Sequence, residues 1–262
     1  MNEDKRTTLW LVGASSGIGR ELALLLAQAG YRVVISARSL EPLQSLCRKY
    51  PEAFEILPLD VTDPRSIMAA SRWLRTCLDG PLDTVVLVAG NCEYVDAGDL
   101  DVMLFRRMME VNFLGQVDLT RAALPLLRRS PNPYLVYVSS SAIFAGLPRA
   151  SAYGASKAAL SYFAASLRAD LVHEGFDVSV VSPGFVKTPL TDRNDFPMPF
   201  LMSADDAARR IFEGMKQRRQ EIRFPRRFVW MLKLIAALPA AWRLKLLGRL
   251  SRHQPVPQGE RA

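Results

Sequence analysis

Residues Thr8–Ala29 read TLWLVGASSGIGRELALLLAQA, and their order decides the fold. Thr8 to Val12 is an apolar run of the length of a buried strand. Gly13, Gly17 and Gly19 follow at once, spaced Gly-x-x-x-Gly-x-Gly. Ile18 to Ala29 then has helical periodicity, and Gly30 supplies a stop. Strand, glycine turn and helix bring backbone N–H groups and a helix N-terminus to one point. That arrangement receives a pyrophosphate, although the spacing departs from the Gly-x-Gly-x-x-Gly dinucleotide fingerprint.

Working outward, strands and helices alternate. Arg32–Ala37, Phe54–Leu59, Asp83–Ala89, Tyr134–Val138, Val178–Val181 and Glu221–Phe224 read as further strands. Leu40–Lys49, Ile67–Leu78, Leu100–Thr120, Ser151–Leu171 and Ala204–Gly214 read as helices, the last capped by Ser203. The expected fold is α/β: a Rossmann-like, three-layer, doubly wound arrangement with a mostly parallel, seven-stranded sheet. Residues 1–225 are expected to form the catalytic domain, with a substrate loop over about 188–202. Residues 226–252 are expected to form a basic amphipathic helical extension, and residues 253–262 a disordered tail.

The 262 residues, 49% hydrophobic, suit one α/β domain with a full core. Mean hydropathy of +0.05 argues against a polytopic membrane protein. The N-terminal apolar run is too short for a signal peptide, so a cytoplasmic location is expected. Cys47, Cys77 and Cys92 show no disulfide or metal pattern, and His173 and His253 add no ligand cluster, so no metal is expected. The net charge of +8 is uneven: from Arg209 to Arg252, thirteen Lys or Arg stand against two Glu. No nucleic-acid recognition motif accompanies that charge, so no nucleic-acid partner is expected.

The chemistry gathers at Ser139–Lys157, SSSAIFAGLPRASAYGASK. Tyr153 and Lys157 are four apart on the predicted helix, so phenol and ammonium share one face. Serines stand upstream. Arg38, just past the second strand, takes the place of an acidic residue that would bind the ribose of NAD. A guanidinium pairs instead with a 2′-phosphate, which points to NADP(H), with NAD(H) as the second choice. Asp60, at the end of the third strand, is placed to bond the adenine amino group, or else to start the next helix with Pro64. Asn112 falls in mid-helix, where a buried amide needs partners.

Together these motifs make the chain resemble the classical short-chain dehydrogenase/reductases over about Leu9 to Thr188. The resemblance rests on Gly13-Ala14-Ser15-Ser16-Gly17-Ile18-Gly19, Asp60-Val61, Ala89-Gly90, Asn112, Ser140, Tyr153, Lys157 and Pro183-Gly184. It implies Tyr153 as general acid or base, and Lys157 as the ligand of the nicotinamide ribose that also lowers the phenol pKa. It implies Ser140 as the group polarising the substrate oxygen, with Ser139 and Ser141 adjacent to it, and Asn112 as anchor of a relay water. It implies a cofactor site at Gly13, Ser15, Ser16, Gly17, Ile18, Gly19, Arg38, Asp60, Val61, Ala89, Gly90, Tyr153, Lys157, Pro183, Gly184, Val186 and Thr188. Moving a tyrosine from about 10 to about 7 takes about 4 kcal/mol, with Lys157 and a cationic nicotinamide as sources. Val12, Leu87 and Val88 depart from the family's usual Thr and Asn residues. A homodimer or homotetramer and a small carbonyl or alcohol substrate follow from the same resemblance. The expected direction is reduction; oxidation of an alcohol and a non-catalytic scaffold of the same fold are the rival readings.

Two stretches are less legible. In Thr188–Met202, Phe196, Met198, Phe200 and Met202 either line an apolar pocket, favouring a hydrophobic substrate, or dock the loop onto the core. Phe228–Leu247 is apolar but holds Lys233, Arg243 and Lys245, with Pro239 at its centre. Each mid-helix charge costs roughly 2.5–3.5 kcal/mol in a bilayer, so a span is excluded. Two amphipathic helices lying peripherally on the inner face of the membrane, or packed on protein, are expected instead.

Overall fold

The computed structural model describes residues 7–249. The expected tail at 253–262, and the last residues of the extension, lie outside the described residues. Strands β1 (Thr8–Val12), β2 (Arg32–Ser36), β3 (Phe54–Ile56), β4 (Thr84–Leu87), β5 (Tyr134–Val138), β6 (Asp177–Pro183) and β7 (Glu221–Phe224) form one sheet. Its order is β3-β2-β1-β4-β5-β6-β7, and each of these pairings is parallel. Parallel neighbours need crossovers, and helices supply them. These are α1 (Gly17–Gln28), α2 (Leu40–Lys49), α3 (Pro64–Cys77), α4 (Val102–Met109), α5 (Gly115–Leu127), α6 (Ser151–Leu171) and α7 (Ala204–Lys216). Helices α8 (Arg226–Ala237) and α9 (Ala240–Gly248) follow the last strand.

Alternation along each strand builds the three layers. Leu9 and Leu11 of β1 pack with Leu22 of α1, Leu43 of α2 and Ile211 of α7. Trp10 and Val12 face the other way, with Ile67 of α3, Leu119 of α5 and Leu160 of α6. Tyr134, Val136 and Val138 of β5 join the first layer, and Leu135 and Tyr137 the second. Most polar atoms carried into the core are paired, as burial requires, although among the described residues Gln116 Oε1 and Ser182 Oγ have no hydrogen-bond partner. Trp10 Nε1 donates to Ser36 Oγ at 2.9 Å, and the Tyr137 and Tyr134 hydroxyls meet Thr120 and Ser179 at 2.7 and 2.6 Å. The sheet is wound outward in both directions from β1 and β4. A cleft therefore opens beyond their carboxyl ends, the usual ligand position in such sheets.

The expected Leu100–Thr120 helix is differently built. It starts at Val102, where Asp101 Oδ1 accepts from Met103 N at 2.8 Å, and it runs past Thr120 to Leu127. Its middle, Glu110–Leu114, is a π-helical turn that holds Asn112. Such wide turns recur at functional sites. Pro125 sits inside the last turn of α5, where few following bonds remain to be lost.

Candidate active site

The cleft has a volume of about 520 Å³ and is lined from the ends of six strands, β1 to β6. Gly13 adopts φ +100°, and a Cβ there would stand 2.5 Å from Ala89 N. A Cβ on Gly19 would overlap the Gly13 carbonyl oxygen. The glycines thus let β1, α1 and the end of β4 close around one space. Helix α1 opens onto it with no acidic residue in its first turn, and Ser16 at its N-cap makes no side-chain cap bond. The positive helix end and its N–H groups remain available to an anion, so these residues fit a dinucleotide pyrophosphate.

Gly13, Ser15, Ser16, Gly17, Ile18, Gly19, Arg38, Asp60, Val61, Ala89 and Gly90 all line this space. So do Ser140, Tyr153, Lys157, Pro183, Gly184, Val186 and Thr188. Asp60 Oδ1 accepts from Thr62 N and Oγ1 at 2.9 and 2.7 Å. Burial opposes its charge, but Thr62 and the nearby Arg38 guanidinium outweigh burial and hold the carboxyl below its ordinary range. Where Leu87 and Val88 replace asparagines, backbone makes the join: Val88 N and Ala89 N both donate to Val12 O, at 2.9 and 3.0 Å.

At the reacting end the three serines separate. Ser139 Oγ is engaged by Lys157 O at 3.0 Å and Ser161 Oγ at 2.6 Å, which ties β5 to α6. Ser140 Oγ accepts from Ala142 N at 3.1 Å and stands close enough to the Tyr153 phenol to lower its pKa. Ser141 is buried and does not line the cleft. Lys157 is only 4% exposed, and its Nζ donates to Val138 O at 2.9 Å. Gly90 makes room for it, since a Cβ there would lie 3.0 Å from that Nζ.

Asn112 does not line the cleft. It is fully buried; its Oδ1 accepts from Asn91 N at 2.8 Å, and its Nδ2 donates to Asn91 O and Ser156 Oγ at 2.8 and 3.0 Å. It clamps the β4 turn to α6, one residue from Lys157. Asn112→Ala would leave these buried groups unpaired. We expect a loss of about 3 kcal/mol in urea unfolding. An unchanged midpoint would contradict this account of the clamp.

Burial raises the Tyr153 phenol above its ordinary value, Cys92 adds to the rise, and Ser140 pulls the other way. The protein alone therefore does not bring the phenol toward neutrality; the expected lowering also draws on the charge of a bound oxidised nicotinamide. Burial also pushes Lys157 down to about 8, opposed by Cys92. The site by itself favours an uncharged phenol.

A family model described as short chain dehydrogenase matches residues 7–196. An uncharacterised oxidoreductase of Myxococcus xanthus is 39% identical over 242 residues, covering 91% of this chain and 95% of that protein. This chain belongs to the short-chain dehydrogenase family. Human retinol dehydrogenase 5 is 32% identical over 191 residues; the match covers 70% of this chain and 58% of that protein's length. A solved short-chain dehydrogenase from Streptomyces avermitilis shares the fold with a TM-score of 0.80, at 24% identity over 95% of this chain and 98% of that one. The protein is accordingly an oxidoreductase acting on CH–OH and C=O groups, and it takes a nucleotide cofactor.

The dehydrogenase has site residues that sequence reasoning missed. Cys92 stands close enough to Tyr153 and Lys157 to affect both, and burial raises its thiol to about 11. Tyr94 stands beside Cys92 and Asn194, and its ring meets Phe196 at 5.0 Å. Phe196 in turn meets Phe185 at 6.0 Å, and Phe185 meets Phe228 of α8 at 5.4 Å. Gln116 Nε2 donates to Ala89 O at 3.0 Å and helps fix the β4 turn. Arg149 pairs with Asp96 at 2.8 Å and Asp195 at 3.1 Å, clamping the 188–202 loop to the loop after β4. The loop is docked: Val186 bridges Met202, and Phe200 leans on Phe228 at 6.1 Å.

Proposed function

We propose that this enzyme is an NADP(H)-dependent reductase of a hydrophobic carbonyl compound. The observation that carries the reading is the convergence of Ser140, Tyr153 and Lys157 on one cleft over the glycine cradle. Bound nicotinamide supplies the hydride in this chemistry. Ser140 donates to the substrate oxygen and orients it. Tyr153 gives that oxygen its phenolic proton, and a phenol held protonated suits the acid role in reduction. Lys157 holds the cofactor ribose from its seat on Val138 O. Asn112 acts as a positioning residue, through Asn91 and Ser156. The likeness to a relative named for retinol supports an apolar substrate. We assign the working form to a homodimer or homotetramer, in keeping with the family.

Arg38 carries the cofactor preference. It is exposed at the end of β2 and lines the cleft beside Asp60. NADPH is expected to bind more tightly than NADH by titration, and Arg38→Ala to weaken NADPH about tenfold while sparing NADH. Equal dissociation constants in the wild type would overturn the assignment.

A further inference from the structure

Two grooves meet on α8 away from the active-site cleft. One, of about 620 Å³, lies between α7, β7 and α8 and has Arg210, Arg219, Arg226 and Lys233 on its walls. Among the described residues none of these four forms an ion pair. Its carboxylates are already engaged, Glu213 by Lys216 and Glu221 by Arg168 and Arg223. The second, of about 500 Å³, is shallow and apolar, with Met231, Leu234, Ile235 and Leu238 along it. Arg226 and Trp230 belong to both grooves. Trp230 and Leu234 are each 65% exposed, and on α9 Trp242 and Leu244 reach 71% and 74%.

We propose that this face docks on the surface of an anionic phospholipid bilayer. The basic groove takes headgroup phosphates, and Trp230 and Leu234, one turn apart on α8, enter the acyl boundary. Unpaired cations beside an exposed apolar ridge are the complement of such an interface. Trp230 stands where the two meet, as an indole does at a membrane boundary. No helix among the described residues is long and apolar enough to cross a membrane, so the contact is peripheral. A second copy pairing through the same face would bring the two basic grooves together, which like charge opposes. A soluble phosphorylated ligand would have no use for the exposed ridge. The opposite side of α8 buries Phe228 and Leu232 against Ala145 and Phe185, beside the 188–202 loop. Docking thus seats the helix that supports the loop over the active site. The proposal stands apart from the catalytic reading, because its test reads binding and not turnover.

The test is co-sedimentation of the full chain with vesicles of phosphatidylcholine alone, or of equal phosphatidylcholine and phosphatidylglycerol. We expect binding to the mixed vesicles only. Arg226→Gln and Lys233→Gln should each weaken it about fivefold. Trp230→Ala with Leu234→Ala should abolish it while circular dichroism and NADPH binding stay unchanged. Glycerol phosphate in solution should not displace the protein. Failure of the wild type to sediment, or full displacement by glycerol phosphate, would overturn the proposal. So would a wild-type dimer that the Trp230/Leu234 variant converts to monomer without any vesicle binding.

Discussion

Tyr153→Phe is expected to lower carbonyl turnover by about three orders of magnitude, with the dissociation constant of NADPH changed less than about twofold. The change removes one hydroxyl and leaves the ring. That hydroxyl neighbours Ser140, whose Oγ keeps its bond from Ala142 N in the variant. The glycine cradle, the α1 N-terminus and Arg38 lie elsewhere in the cleft and are untouched. Binding and chemistry should therefore separate. Stopped-flow reduction beside a binding titration measures both, and turnover within tenfold of wild type would remove Tyr153 from its role.

Lys157→Met is the second large effect, and it acts on activity and stability in different ways. Activity should fall by at least about two orders of magnitude, because among the described residues Lys157 is the cation seated on Val138 O to hold the cofactor ribose. Stability should respond through pH. Burial holds the folded-state pKa at about 8, below the ordinary lysine value of 10.5. Between those values the unfolded chain binds a proton that the folded chain does not. Unfolding free energy of the wild type therefore rises with pH across that window, by roughly 3 kcal/mol from this group. Methionine removes the contribution and leaves the Val138 carbonyl unpaired. Urea unfolding of both proteins below and above the window should show the wild type gaining on the variant as pH rises. Parallel profiles would contradict a depressed Lys157.

The central strands were legible because they are short apolar runs, and β1, β4 and β5 are buried on both faces. Leu9, Trp10, Leu11 and Val12 are buried on both sides, so local pattern and final position agree. The cradle was legible for a similar reason: Gly13 and Gly19 are demanded by backbone contacts that few other residues allow. Asn112 shows where the reading stopped. Its place in a helix was visible, but the π-helical turn and the bonds to Asn91 and Ser156 depend on β4 and α6 lying beside it. Arg149, Cys92 and Tyr94 carry no local signal at all. They matter through partners dozens of residues away, Asp195 for the first and Tyr153 for the others. The serine cluster lies between these cases: three neighbours looked alike until β5 met α6 and engaged Ser139.

The central claim is that the cleft at Ser140, Tyr153 and Lys157 reduces a hydrophobic carbonyl with NADPH. It is tested most directly by supplying reduced cofactor labelled with deuterium at the transferable position to a panel of apolar ketones and aldehydes. The account predicts label at the carbinol carbon of the product, one per cofactor consumed, with the wild type and none with Tyr153→Phe. A wild-type protein that binds NADPH yet transfers no label to any carbonyl in the panel, nor from labelled apolar alcohols to NADP in the reverse direction, would contradict it.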